Sequence, residues 1–231
     1  MPLRPTAKLL PAVKPAPRAP GLAEQARVVL EEKIVTLELE PGSMWSEGEL
    51  ASLTGFGRTP VREALKRLES HHLVRIMQRH GVQIVEIDAG QQLQLLETRR
   101  ELERLVATRA ARRRDLVAAA KCADFARALR EAGRRGDVLA FMRLHADAEE
   151  VVLAACGNRF AAAAIAPFYA LSRRFYVLHH RTAKDLRLAC EYHAKTLMAI
   201  CDGDERAAAA AADAVLDYVE GFTRATLSDR F

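Results

Sequence analysis

Cysteine is scarce in this 231-residue chain, and the four present, Cys122, Cys156, Cys190 and Cys201, lie far apart with no Cys-x-x-Cys pair. A disulfide scaffold is excluded, and a reducing cytoplasm is the expected compartment. Long apolar runs are missing too. The run Ala161–Leu171 has 11 residues, against the ~20 needed to cross a bilayer. Leu9 to Val13 is too short for the apolar core of a signal peptide. Proline is nearly absent beyond residue 20, since residues 1–20 hold six of the nine. That stretch, which also carries four Lys/Arg, cannot hold a helix or a central strand and reads as a disordered basic tail. An overall excess of one charge is lacking as well: 35 Lys/Arg stand against 30 Asp/Glu, a net charge of +5. Residues 57–81 depart from this balance, with six basic side chains (Arg58, Arg62, Lys66, Arg67, Arg75, Arg79) and two acidic ones (Glu63, Glu69). An anionic partner is therefore to be sought at a local patch.

What is present is helical pattern. Leu22, Ala26, Leu30, Ile34 and Leu37 recur at helical spacing, so a first helix is expected to run to about Leu39 and stop at Pro41-Gly42. Ser46 with Glu49 forms a capping box for a short second helix, which Gly55 and Gly57 end. Thr59 reads as the N-cap of a third helix with Pro60 at its first position. That helix carries Val61, Leu65 and Leu68 on one side and Arg58, Thr59, Arg62 and Lys66 on another. Two short strands follow, around Leu73–Gln78 and Val82–Ile87, joined at Arg79-His80-Gly81. Three helices and a two-stranded wing make a winged helix-turn-helix, whose last helix fits the DNA major groove. Beyond Asp88-Ala89-Gly90 no strand signal remains. Helices are expected near 91–114, 117–132, 137–156, 158–178 (interrupted at Pro167), 183–202 and 204–227, an all-α bundle of six or seven helices with breaks at Gly133, Gly136, Gly157 and Gly203. The expected division is a tail over 1–20, a winged domain over 21–88 and a bundle over 89–231.

Several stretches resemble one family. Leu39-Glu40-Pro41-Gly42, Glu49-Leu50-Ala51, the unbroken run from Arg58 to Glu69, Leu73-Val74 and His80-Gly81-Val82 resemble the DNA-binding domain of GntR-family bacterial transcription regulators. Glu97 to Glu103, Cys156-Gly157-Asn158-Arg159-Phe160, and Glu191-Tyr192-His193 followed by Gly203-Asp204 resemble the FadR-type subgroup with its all-helical FCD effector domain. The resemblance covers about residues 22–225. It implies a homodimer that binds a short palindromic operator and answers to a small metabolite, a carboxylate or sugar acid, held in the bundle. Repression relieved by that metabolite is the expected sign.

Carried over on the motif, Arg58, Thr59, Arg62 and Lys66 are implied to contact phosphates and base edges. Arginine suits guanine because its fork bonds O6 and N7 together. His80 and Gly81 are implied at the wing tip, in the minor groove. Two positions depart from the pattern: Gly57 stands where Ser or Thr is usual, and Gly48 where Arg is common.

In the second half, Met142, His145, Glu149, Val152 and Cys156 form an inward stripe, and so do Leu186, Cys190, His193, Leu197 and Ile200. His145, Glu149 and His193 are thus expected to converge. In metal-holding relatives four such positions carry ligands; here the last falls on Val215, which cannot ligate. Two outcomes stay open: the three residues hold one divalent ion (Zn²⁺, Ni²⁺ or Mn²⁺), or they bond the effector directly in a metal-free pocket. Arg99 is the candidate for an effector carboxylate, since it can bond two oxygens at once. Two other classes compete. In one, the bundle serves dimerisation only. In the other, metal-bound water makes the chain a hydrolase, but no HExxH or nucleophile elbow is present.

Overall fold

The computed structural model describes residues 20–180 and 182–228. The expected basic tail, residues 1–20, lies outside the described residues except for Pro20. Helix α1 (Leu22–Val35) buries Ala26, Leu30 and Ile34 completely. It ends sooner than the spacing of Leu37 implied. Thr36 bends its hydroxyl back to the carbonyl of Glu32, and Leu37 takes a left-handed φ of 63°, so the apolar residues beyond Val35 are in a turn. Helix α2 (Glu47–Thr54) starts at the expected capping box between Ser46 and Glu49. Helix α3 (Arg58–Ser70) starts two residues earlier than expected. Its N-cap is Gly57, and Thr59 and Pro60 lie within the first turn, where a proline N–H is not needed.

The sheet has three strands among the described residues rather than two. β1 (Met44–Trp45) pairs with β3 (Gly81–Ile84), which pairs with β2 (Val74–Met77), all antiparallel, in the order β1-β3-β2. Gly81 fixes this arrangement. Its φ is +100°, and a Cβ there would lie 2.5 Å from the Trp45 carbonyl oxygen, so only glycine lets β1 reach β3. Val61, Leu65 and Leu68 of α3 meet α1, Leu50, Val82 and Ile84 in a common core. Each side chain buried this way contributes ~1.5–3 kcal/mol.

Six helices follow among the described residues: α4 (Ala89–Arg113), α5 (Leu116–Arg135), α6 (Val138–Cys156), α7 (Arg159–His179), α8 (Ala183–Asp202) and α9 (Glu205–Ser228). Side chains of Asp88, Asp115, Asp137, Asn158 and Thr182 accept the orphan amides at the starts of α4 to α8. Gly136, Gly157 and Gly203 close α5, α6 and α8 in the left-handed conformation. Gly133 does not break α5. It lies inside the helix, where a Cβ would come 3.0 Å from Cys190 Cβ, so the missing side chain lets α5 press on α8. Pro167 does not interrupt α7 either. Ile165, Tyr169 and Ala170 around it are buried, and this packing holds the helix through the proline.

Candidate functional site

The exposed face of α3 carries Arg58, Thr59, Arg62 and Lys66, all open to solvent. Their apolar counterparts on the other face are fully buried, so the helix is fixed by its core side and free on its cationic side. Arg62 is held by Glu47 at the start of α2, with Nε 3.0 Å from both carboxylate oxygens and Nη2 2.7 Å from one. Lys66 pairs with Glu63 at 2.9 Å. Arg62, with Arg58 and Lys66 nearby, holds Glu47 below the ordinary carboxylate value. Gly57 caps α3 with no side-chain hydrogen bond. Gly48 faces Arg58, whose Nη2 lies 3.7 Å from where a Cβ would stand. His80 is exposed in the turn before β3, its Nδ1 2.8 Å from the Gln78 carbonyl. Gly81 is needed inside the sheet, against Trp45, whatever else it touches.

A second constellation lies in the bundle, and it does bring together the residues expected there. His145 Nε2 of α6 and His193 Nδ1 of α8 are 3.0 Å apart. Glu149, one turn after His145, places Oε1 3.3 Å from His145 Nδ1. Neither of these last two atoms has a hydrogen bond of acceptable geometry, although both are buried. Glu149 Oε2 accepts from Nη1 of Arg173 on α7. Arg99 of α4, only 2% exposed, bonds Glu103 Oε1 through Nε at 2.9 Å and Nη2 at 2.7 Å. Its guanidinium also covers the Tyr169 ring at 4.9 Å, and the Tyr169 hydroxyl donates to Glu103 Oε2 at 3.3 Å.

Burial dominates the electrostatics. It holds His145 well below the usual imidazole value, helped by His193, Arg173 and Arg99. It drives His193 down to about 3, with Arg99 and Arg173 adding to the effect. Glu149 is pushed up to about 8, because lost hydration outweighs the pull of Arg173 and Arg99. Burial thus favours the neutral forms of both imidazoles and of the Glu149 carboxyl, beside two guanidinium groups. A cavity of about 50 Å³ adjoins it, lined by Glu103, His145, Glu149, Tyr169 and His193 among others.

This donor set does not fit a divalent metal. His193 and Glu149 sit at opposite nitrogens of the His145 ring, so the three donors do not face one point. Glu149 is further committed to a guanidinium, whose charge repels a cation. Val215 is buried in an apolar group with Leu96 and Leu216. Among the described residues no group of three or more His, Cys, Asp or Glu is placed to hold a metal ion.

Arg173 was the residue that sequence reasoning missed. Ile165, Tyr169 and Arg173 recur every four residues on the buried side of α7, and that spacing was the available signal. Arg173 Nη2 also reaches Glu31 Oε1 of α1 at 3.4 Å. Its neighbour Arg174, 1% exposed, donates to the Val85 carbonyl just past β3. Arg174 lines the larger cleft between wing and bundle, about 720 Å³, with Arg75, Glu86 and Gln92.

A winged helix-turn-helix with an exposed cationic helix, followed by an all-helical bundle, is the architecture of a DNA-binding transcription regulator. Two family models match in that order: "Bacterial regulatory proteins, gntR family" over residues 22–84 and the "FCD domain" over residues 94–218. The chain belongs to the GntR family of bacterial transcription regulators, in the branch that carries an FCD domain. These are regulators and not enzymes. Among similar proteins, an uncharacterized HTH-type transcriptional regulator of Streptomyces ambofaciens is 42% identical over 59 residues, 26% of this chain and 25% of that one. Another, from Agrobacterium vitis, is 33% identical over 91 residues, 39% of this chain and 53% of its own length. The chain thus spans a quarter to about half of those relatives. Solved structures share the fold. E. coli McbR/YncC superposes with a TM-score of 0.78 at 18% identity, covering 90% of this chain and all of that one. A transcriptional regulator GntR from Rhodococcus sp. RHA1 gives 0.68 at 17% identity, covering 88% and 97%. Among the described residues, no helix is long and apolar enough to cross a membrane.

Proposed function

We propose that the protein is a cytoplasmic repressor that binds a short palindromic operator as a homodimer and is released by a small hydroxy-carboxylate or sugar acid bound in the FCD bundle. Arg58, Thr59, Arg62 and Lys66 contact the major groove and its phosphates, and His80 and Gly81 approach the minor groove. The observation that carries the effector half is the buried polar cluster. His145 Nδ1 and Glu149 Oε1 are orphaned inside it, beside two buried guanidinium groups, Arg99 held by Glu103 and Arg173 by Glu149, that an anion would compete for. Orphaned buried polar atoms are costly, and a ligand hydroxyl that bonds both from one side removes that cost. His145, Glu149 and His193 supply hydrogen bonds, and Arg99 or Arg173 meets the carboxylate. The cavity of about 50 Å³ is smaller than such a ligand, so binding selects a more open packing of the bundle. The domains fall at residues 21–88 and 89–231.

Operator selection tests the DNA half: the full chain is mixed with sheared genomic DNA and the retained fragments are sequenced. Enrichment of one palindrome supports the reading, whereas retention without a common sequence removes it. A melting scan against L-malate, citrate and D-gluconate tests the effector half, since a ligand of the folded state raises Tm. A Tm unmoved by every acid returns the bundle to a purely dimerising role.

A further inference from the structure

Resting on the effector site just proposed, we infer that Arg173 is shared between that site and the DNA-binding domain, and that an anionic effector acts by taking Arg173 away from Glu31. The two ends of this guanidinium face two domains. Nη1 bonds Glu149 in the bundle, and Nη2 is 3.4 Å from Glu31 on α1. Side-chain exposure is 9% for Arg173, 11% for Glu149 and 18% for Glu31, so the bridge is largely shielded from water. Breaking it is felt more than breaking a surface pair.

Among the described residues, two other polar links cross this face. Arg143 meets Glu32 at 3.0 Å, but the two side chains are 70% and 47% exposed, so this pair adds little. Arg174 grips the Val85 carbonyl, but that contact lies at the wing and not on α1. Among the described residues, Arg173–Glu31 is therefore the shielded charge pair tying α1 to α7. Beyond Glu31, Arg27 bonds both Glu31 at 2.5 Å and Glu24 at 2.8 Å, and Glu24 bonds Arg67 of α3 at 2.6 Å. These outer pairs are not needed to carry the signal. Helix α1 packs on α3 through Ala26, Leu30 and Ile34, all fully buried, so a released α1 carries α3 with it.

A carboxylate entering the cluster meets the same guanidinium. With Glu149 already at one end, the second end must turn from Glu31 to reach the ligand. Two sites then bias one bistable contact, which is what coupling between them requires.

Three full-chain proteins test this: wild type, Glu31→Gln and Glu149→Leu. The readouts are Tm and amide hydrogen exchange of the α1 peptide, with L-malate, citrate and D-gluconate as probes. Without ligand, Glu31→Gln is expected to exchange roughly tenfold faster in α1 than wild type, within the usual range of such couplings. Glu149→Leu, which removes the acceptor and leaves Arg173 to Glu31 alone, is expected to exchange more slowly. An acid that raises the Tm of wild type is expected to speed its α1 exchange. The same acid is expected to raise the Tm of Glu31→Gln without changing its exchange further. If an acid binds and Glu31→Gln responds as wild type does, the shared-arginine proposal fails while the effector site stands. If ligand-free exchange is the same in all three proteins, the bridge does not hold α1 and the proposal fails on that ground alone. If no acid raises Tm, the effector reading falls and takes this inference with it.

Discussion

Arg62 is gripped by both carboxylate oxygens of Glu47, across the turn that joins α2 to α3. The free protein thus neutralises the side chain best suited to a guanine edge. DNA must displace Glu47 or tolerate it beside a phosphate. Replacing Arg62 by alanine is expected to weaken operator binding roughly 5- to 150-fold, the range of one good base contact. Glu47→Gln is expected to strengthen binding about two- to fivefold, since the pair it removes is solvent-exposed. Fluorescence anisotropy of a labelled operator at fixed salt measures both. Equal affinities for Arg62→Ala and wild type mean that base reading lies elsewhere on α3.

Gly57 departs from the family pattern at the N-cap of α3, and the structure leaves room there: a Cβ would lie 3.8 Å from Pro60 Cδ, an ordinary contact. Gly57→Ser is therefore expected to fold normally. It gains a few tenths of a kcal/mol from capping and restores a hydroxyl to the end of the helix that faces phosphate. Operator affinity should rise with it. A rise in Tm without a rise in affinity assigns position 57 to capping alone.

Gly81 is different, because its neighbour is backbone. A side chain would meet the Trp45 carbonyl at 2.5 Å with φ at +100°. Gly81→Ala is expected to cost ~1–3 kcal/mol from the backbone conformation, plus the displacement of β1. Trp45 is the chain's one tryptophan, so urea unfolding followed by its fluorescence reads the winged domain directly. An unchanged midpoint means that β1 moves aside freely.

The bundle was legible because its punctuation is chemical. Gly136, Gly157 and Gly203 close helix ends and made those boundaries visible within a few residues; the caps Asp115, Asp137, Asn158 and Thr182 follow beside them in the structure. The stripe containing His145 and the one containing His193 were legible by spacing, and the two histidines do meet. What escaped depends on tertiary contact. β1 is two residues long and has no alternation to detect. Pro167 looked like a break because local propensity ignores the core that holds α7 on both sides of it. Arg173 and Glu31 are 142 positions apart, and nothing local ties a surface-patterned glutamate on α1 to an arginine on a buried face.

Chelation separates the two pocket chemistries that the ligand-like residues first left open. His193 and Glu149 lie on opposite edges of the His145 ring and do not converge on one ion. Extended dialysis against EDTA is expected to leave both Tm and operator affinity unchanged, and added Zn²⁺, Ni²⁺ or Mn²⁺ is expected to leave Tm unchanged. A stoichiometric ion in the purified protein by elemental analysis, with a Tm drop on its removal, overturns the metal-free assignment.

The cluster also predicts the shape of stability against pH. Both imidazoles are held below their unfolded value of 6.5, His193 at about 3. The unfolded chain then binds more protons than the folded one as pH falls below 6.5, so each histidine makes stability fall in that direction. Glu149 acts oppositely. Its folded value of about 8 lies above the unfolded 4.5, so the folded chain holds an extra proton between these values, and stability falls as pH rises from 4.5 to 8. Between 4.5 and 6.5 the two histidines outweigh the one carboxyl, while from 6.5 to 8 only the carboxyl term remains. The cluster therefore favours a stability maximum near pH 6.5, with a decline toward pH 8 of up to ~1.4 kcal/mol per pH unit. Glu149→Gln is expected to abolish that decline while keeping the loss on the acid side. Urea midpoints measured from pH 5 to 8.5 compare the two proteins. A decline above pH 6.5 that survives unchanged in Glu149→Gln means that another group titrates there and that Glu149 does not hold the extra proton.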